Sequence, residues 1–195
     1  MRVSAGEKKG TKLKGPKKRG IRPTTSIVKE FIFEFLYEFI RGKEVLDLFA
    51  GTGNLGIEAI SRGAESVSFI DISQYSLQLI NDNLKKTRFE KCAKVFKADV
   101  FSFISKAFKD KIKYDIVLAD PPFKYKDLYK LCKSEKLYNI IEKGGYFIIE
   151  HYPKIEKKSY HSGFELIKFK SFGGNKISIF KRVEKIENSS ISRNI

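Results

Sequence analysis

Apolar positions along the chain change their spacing several times, and the changes mark the elements. Ile27, Val28, Phe31, Ile32, Phe35, Leu36, Phe39 and Ile40 recur in pairs four residues apart, which puts them on one broad helical stripe. Thr25 or Ser26 is the expected cap of that helix. Beyond Gly42, short apolar runs alternate with helical stretches: strands at 44–49, 66–70, 93–96 and 114–119, and helices from Asn54 and over 74–85, 101–108 and 127–138. Strands separated by helices of this length require right-handed crossovers, hence a parallel sheet covered on both faces. The last third changes rhythm. Residues 146–150, 164–169 and 177–180 read as strands with little helix between the last two, which predicts an antiparallel hairpin at one sheet edge. The expected architecture is α/β, with a mostly parallel seven-stranded sheet and helices on both faces.

The chain has 195 residues, 42% of them hydrophobic. That is enough for one sizeable core and too little for two full domains. The division expected is a basic N-terminal extension over 1–22, a folded domain over 23–183 and a polar, aperiodic tail over 184–195. No apolar run reaches the roughly 18 residues needed to cross a bilayer, and the lysine-rich start has no apolar signal segment. A soluble protein of the cytoplasm is expected, acting as a monomer and away from membranes. Cys92 and Cys132 stand far apart with no CxxC partner and read as reduced thiols, and no metal site is expected.

Charge adds a partner. The net charge is +16, and residues 1–22 hold Arg2, Lys8, Lys9, Lys12, Lys14, Lys17, Lys18, Arg19 and Arg22 against the single acid Glu7. Nucleic acid is the commonest anionic partner for such a chain, with anionic membrane the weaker alternative. The plain reading is a solvated flexible arm. Because the arm leads straight into the folded domain, Lys17, Lys18, Arg19 and Arg22 are the candidate RNA contacts.

Asp47-Leu-Phe-Ala-Gly51-Thr-Gly53-Asn54-Leu-Gly56 follows the first strand of the sheet and opens a helix, and Asp71 ends the next strand. In that context the glycines let backbone approach a nucleotide, and the acid accepts hydrogen bonds from ribose hydroxyls. Dinucleotides and S-adenosylmethionine share this logic, so the glycines alone leave a nicotinamide dehydrogenase and a methyltransferase open. Asp47 helps decide. A carboxylate there suits an ammonium group, which S-adenosylmethionine carries, and repels a pyrophosphate. Asp99, after the third strand, has two compatible readings, an acceptor for an adenine amino group and a helix N-cap. The candidate cofactor residues are Asp47, Gly51, Gly53, Asn54, Asp71 and Asp99.

The fourth strand ends in Asp120-Pro121-Pro122-Phe123, at the edge where open parallel sheets place their sites. An exocyclic amine on a base is a poor nucleophile because its lone pair is delocalised into the ring. The Asp120 carboxylate and the Pro121 carbonyl can both accept its hydrogens, turning the lone pair toward a methyl donor. The two prolines stiffen the turn, and Phe123 offers a face on which an extruded base can stack. Taken alone, Asp-Pro-Pro also fits a plain strand-ending turn. His151 and His161 lack catalytic partners at recognisable spacing and read as surface or packing residues, and Glu58 with Arg62 reads as an ordinary i,i+4 ion pair.

These motifs resemble those of the bacterial methyltransferases acting on the N2 amino group of a guanine in 16S ribosomal RNA. The resemblance runs through Arg22-Pro-Thr-Thr25, Asp47 to Gly53, Gly56 to Ala64, Asp120-Pro-Pro-Phe123 and Phe172-Gly173. It implies a Rossmann-like class I methyltransferase fold, S-adenosylmethionine as cofactor, and ribosomal RNA or a part-assembled small subunit as partner. By that resemblance Asp120 to Phe123 hold the guanine, the cofactor residues named above line its site, and the basic arm engages the RNA. The chain departs from the family at Ser26-Ile27, where the family has an Asp-Arg pair, and its arm is less rich in glycine and arginine. Two rivals are a DNA adenine-N6 methyltransferase, against which the lack of a target-recognition domain argues, and a non-catalytic RNA-binding or assembly protein of the same fold.

Overall fold

The computed structural model describes residues 1–16, 26–123, 125–152, 155–156 and 159–184. Lys17, Lys18, Arg19 and Arg22, the candidate RNA contacts, lie outside them, as does nearly all of the tail.

Strands β1 (Glu44–Leu48), β2 (Ser66–Asp71), β4 (Tyr114–Ala119) and β5 (Ile141–His151) are apolar over most of their length because both sheet faces are covered. With β3 (Ala93–Lys97), β6 (Phe164–Phe172) and β7 (Asn175–Arg182) they form one seven-stranded sheet in the order β3-β2-β1-β4-β5-β7-β6. The first five pair in parallel, whereas β7 runs antiparallel between β5 and β6, as the change of rhythm predicts.

Alternate residues serve two cores. Val45, Phe69, Leu118 and Ile148 face one side, with α1 (Ser26–Phe35), α2 (Asn54–Ser61) and α3 (Gln74–Thr87). Leu46, Ile70, Val117 and Phe147 face the other, with α4 (Val100–Lys109), α5 (Leu128–Cys132) and α6 (Glu135–Ile140).

Three local departures have physical causes. The stripe on α1 is turned, so that Val28, Lys29, Ile32 and Phe33 are buried while Ile27 is 66% exposed. Lys29 is what turns it, because its ammonium is held inside the fold by Glu58 at 2.7 Å. The expected 127–138 helix is two helices, since the Ser134 hydroxyl accepts the Leu137 N–H at 3.2 Å and caps a fresh start. β5 begins five residues early. It tolerates Gly145 because a Cβ there would lie 2.5 Å from the Asp115 carbonyl oxygen of the adjoining strand.

Residues 1–16 are docked on the fold, where the plain sequence reading has a solvated arm. An antiparallel bridge joins Arg2 to Lys12, and Val3 and Leu13 are buried in the α1–α2 core. Glu58 on α2, fully buried, accepts the Ser4 and Ala5 N–H groups, the Lys29 ammonium and Arg62 Nε. Burial pushes its carboxyl up, but these donors outweigh burial and hold it below the ordinary value. The expected ion pair with Arg62 is thus one spoke of a buried hub. Gly6, at φ +80°, brings the hairpin onto α2, with space for a Cβ only 1.7 Å from the Ser61 carbonyl oxygen.

Among the described residues, no helix is long and apolar enough to cross a membrane.

Candidate active site

The strand order reverses between β1 and β4, and at the carboxyl ends of those strands the crossovers diverge and leave a crevice. A cleft of about 990 Å³ opens there, lined by the ends of β1, β2, β4 and β5 and by the β6–β7 turn. It brings together Asp47, Gly51, Asn54, Asp71, Asp99 and the whole 120–123 turn. Gly53 lies just behind, with its free space facing Ile57, Ile80 and Phe69.

The first wall is the loop after β1. Phe49, Gly51 and Gly53 have φ of 61°, 55° and 77°, so three of five consecutive residues are left-handed. That conformation costs little at glycine and more at Phe49, whose ring is held edge-on by Tyr125 at 4.8 Å. Asp71 keeps the loop in place: one carboxylate oxygen accepts the Gly51 N–H at 2.8 Å and the other the Ser73 N–H at 2.8 Å. Gly56 is required for packing, since a Cβ there would stand 2.2 Å from the Phe69 ring.

Asp47 is 2% exposed, and its carboxylate accepts the Gly56 N–H at 2.9 Å. Burial pushes its pKa up to about 8, helped by the charges of Asp120 and Asp71 and opposed by the Gly56 hydrogen bond. Without a counter-charge such an acid keeps its proton, and a cation placed against it would restore the carboxylate. On the far side Asp99 caps α4 by accepting the Ser102 N–H at 3.0 Å and also lines the cleft.

The second wall is the turn after β4. Pro121 and Pro122 fix its path, and Tyr125 N–H closes it on the Pro122 carbonyl at 2.8 Å. Phe123 is 64% exposed, with its ring set edge-to-face against Tyr152 at 4.1 Å. An exposed aromatic held this way presents a flat surface at the mouth of the cleft.

Glu150 is the cleft residue that sequence reasoning missed. It stands one residue beyond the Ala119–Ile149 pair, beside Asp120, and is 5% exposed. The signal was available: an acid closes an otherwise apolar run, Phe147-Ile-Ile-Glu150, at the same sheet edge as Asp120. His151 and His161 are packing residues, as expected, though both are buried. His151 pairs with the Ser178 hydroxyl at 2.8 Å and His161 with Glu135 at 2.6 Å.

The model of the family described as conserved hypothetical protein 95 matches residues 1–181. The chain is 34% identical over 182 residues to the Bacillus subtilis protein YlbH, provisionally named an rRNA methyltransferase, covering 93% of this chain and 99% of that one. It is 33% identical over 150 residues to "Ribosomal RNA small subunit methyltransferase D" of Escherichia coli, covering 77% of this chain and 71% of the relative. The solved structure of Escherichia coli yhhF, provisionally named a methyltransferase, superposes with a TM-score of 0.80 at 27% identity, covering 94% of this chain and 98% of that one.

Proposed function

We propose that this chain, which belongs to the family described as conserved hypothetical protein 95, is a methyltransferase acting on ribosomal RNA, and that it transfers methyl from S-adenosylmethionine to the exocyclic N2 of a guanine in the small-subunit RNA. The observation that carries the reading is the meeting of Asp47 and the Asp120-Pro-Pro-Phe123 turn in one cleft, near enough for the Asp120 charge to act on Asp47. The names of the Bacillus subtilis and Escherichia coli relatives support the RNA class.

The donor set fits S-adenosylmethionine. Asp47 is a buried acid that an ammonium group would hold as the carboxylate, Asp71 keeps lone pairs for ribose hydroxyls after clasping its two loops, and Asp99 lines the cleft as an acceptor for an adenine amino group. Gly51 and Gly53 let backbone approach, and Asn54 opens α2 on the cleft. A pyrophosphate would meet Asp47, Asp71 and Asp99, which disfavours a dinucleotide. When bound, the cofactor supplies an electrophilic methyl group on a sulfonium.

The chain's own part is placement. Asp120 and the Pro121 carbonyl accept the two amino hydrogens of the base and turn its lone pair inward, while Phe123 carries the stacked ring. Asp120 would also take up the proton that the amino group sheds on methylation. Lys17, Lys18, Arg19 and Arg22 are proposed to hold RNA phosphates. The substrate is ribosomal RNA or a part-assembled small subunit in the cytoplasm, met by a monomer.

The test is label transfer from S-adenosylmethionine to small subunits of a strain lacking this activity. The wild type should label the RNA. Asp120→Ala should bind RNA as before and label none, and equal labelling by the variant would remove Asp120 from the reaction.

A further inference from the structure

Glu150 is a buried acid whose second oxygen the fold leaves unused. Asn175, at the start of β7, donates its side-chain N–H to Oε1. Among the described residues Oε2 has no hydrogen-bond partner, although it is shielded from solvent. A buried carboxylate oxygen without a donor is costly to keep. This one belongs to a cleft residue that stands one position beyond the Ala119–Ile149 pair and feels the charge of Asp120. The glycine loop does not use it, and nothing in the core requires an acid at that position.

The substrate edge supplies the missing donor. On guanine, two ring nitrogens flank the 2-amino group, and the one on the Watson–Crick edge, N1, carries a hydrogen. On adenine and cytosine, the ring nitrogen next to the exocyclic amine carries a lone pair. With an amino group held by Asp120 and the Pro121 carbonyl, a carboxylate oxygen beside Asp120 attracts the first arrangement and repels the other two. We infer that Glu150, oriented by Asn175, accepts the N1–H of the target base and restricts transfer to guanine. The inference rests on the guanine-N2 reading above.

Protonation gives a second readout. Burial and then the Asp120 charge push Glu150 up to about 7, against the Asn175 hydrogen bond. The groups around it are Asp120, just after β4, and, from β7, Asn175 and Lys176, whose ammonium lies 2.6 Å from the Tyr152 carbonyl. On its own strand His151 is engaged by Ser178. The carboxylate accepts N1–H and the protonated acid does not, so guanine transfer declines as pH falls through about 7.

The test compares small subunits reconstituted with guanosine or 2,6-diaminopurine riboside at the mapped target position. Both bases present a 2-amino group, and only guanine has N1–H. Wild type should favour guanosine in kcat/KM by about 10- to 100-fold, the range for a hydrogen bond to a charged group. In Glu150→Gln, Asn175 holds the remaining oxygen and the new amide N–H takes the Oε2 position. The preference should then vanish or reverse, and at saturating S-adenosylmethionine it should no longer change with pH near 7. Retention of the full preference by Glu150→Gln overturns the inference. If Glu150→Gln does not melt cooperatively or loses cofactor binding, Asn175→Ala decides: a shrunken preference supports the inference and an unchanged one overturns it. A wild type that makes no N2-methylguanosine overturns the parent reading and this inference together. N2-methylguanosine with an unchanged preference in the variant overturns this inference alone.

Discussion

The carboxylate of Asp47 accepts the backbone N–H of Gly56 at 2.9 Å, which ties the end of β1 to the first turn of α2. Gly53, the residue before α2, offers no side-chain cap, and Asp47 provides one from a distance. The same acid is proposed to hold the cofactor ammonium, so it has a structural duty and a binding duty that pull its protonation in opposite directions.

A pH prediction follows from that conflict. In the free protein Asp47 has its pKa raised from 3.8 to about 8, so at neutral pH it is mostly protonated. An ammonium partner requires the carboxylate. Cofactor binding should therefore tighten as pH rises toward about 8 and should release a proton at pH 7, measurable by titration calorimetry in buffers of different ionisation enthalpy. For stability the sign is opposite: the folded state keeps a proton that the unfolded chain loses above 3.8, so ligand-free stability falls between 3.8 and about 8. Asp47→Asn should melt higher than wild type at pH 8 while binding S-adenosylmethionine weakly and without proton release.

The hub around Glu58 predicts a stability defect far from the cleft. Lys29→Met removes the buried ammonium from a fully buried carboxylate that also holds Ser4, Ala5 and Arg62. Breaking one partner of a buried pair costs about 3–5 kcal/mol. Denaturant unfolding should show a loss in that range, and protection of the Ser4 and Ala5 amides from hydrogen exchange should fall with it. A loss below about 1 kcal/mol would match an exposed pair and contradict the hub.

For the basic segment, the docked hairpin dictates the experiment. Truncating the first 16 residues would strip Val3 and Leu13 from the core and confuse folding with binding. Alanine at Lys17, Lys18, Arg19 and Arg22, with the hairpin kept, should weaken RNA binding and reduce its log–log salt slope by roughly 0.7–0.9 for each lost phosphate contact. An unchanged slope would remove these residues from the interface.

Phe123→Ala should lower kcat/KM for RNA by about 5- to 150-fold, the equivalent of about 1–3 kcal/mol for one stacked base. Cofactor affinity should change little, because the ring is mostly exposed and rests edge-on against Tyr152. Steady-state kinetics on subunits beside calorimetry with cofactor checks both halves.

Much of the fold was legible because it is written in short-range pattern. The strand at 114–119 was readable to the residue, since an apolar run bounded by Lys113 and Asp120-Pro121 has little freedom to slide. The glycine loop and the Pro-Pro turn were legible because backbone geometry restricts which residues can stand there. What escaped depends on distant partners. Lys29 turns α1 because of a glutamate 29 positions away, and a lysine in a helical stripe otherwise reads as solvent-facing. Residues 1–16 read as a solvated arm by their charge, while two apolar residues, Val3 and Leu13, and backbone bonds to Glu58 and Ser61 decide their position. Glu150 escaped because its meaning depends on Asp120 and Asn175, which only the sheet register brings beside it.

The measurement that bears most directly on the central claim is the identity of the labelled nucleoside after transfer from labelled S-adenosylmethionine to small ribosomal subunits lacking the modification. Digestion should return the label as N2-methylguanosine. Label in N6-methyladenine, or none in any nucleoside despite tight cofactor binding, would contradict it.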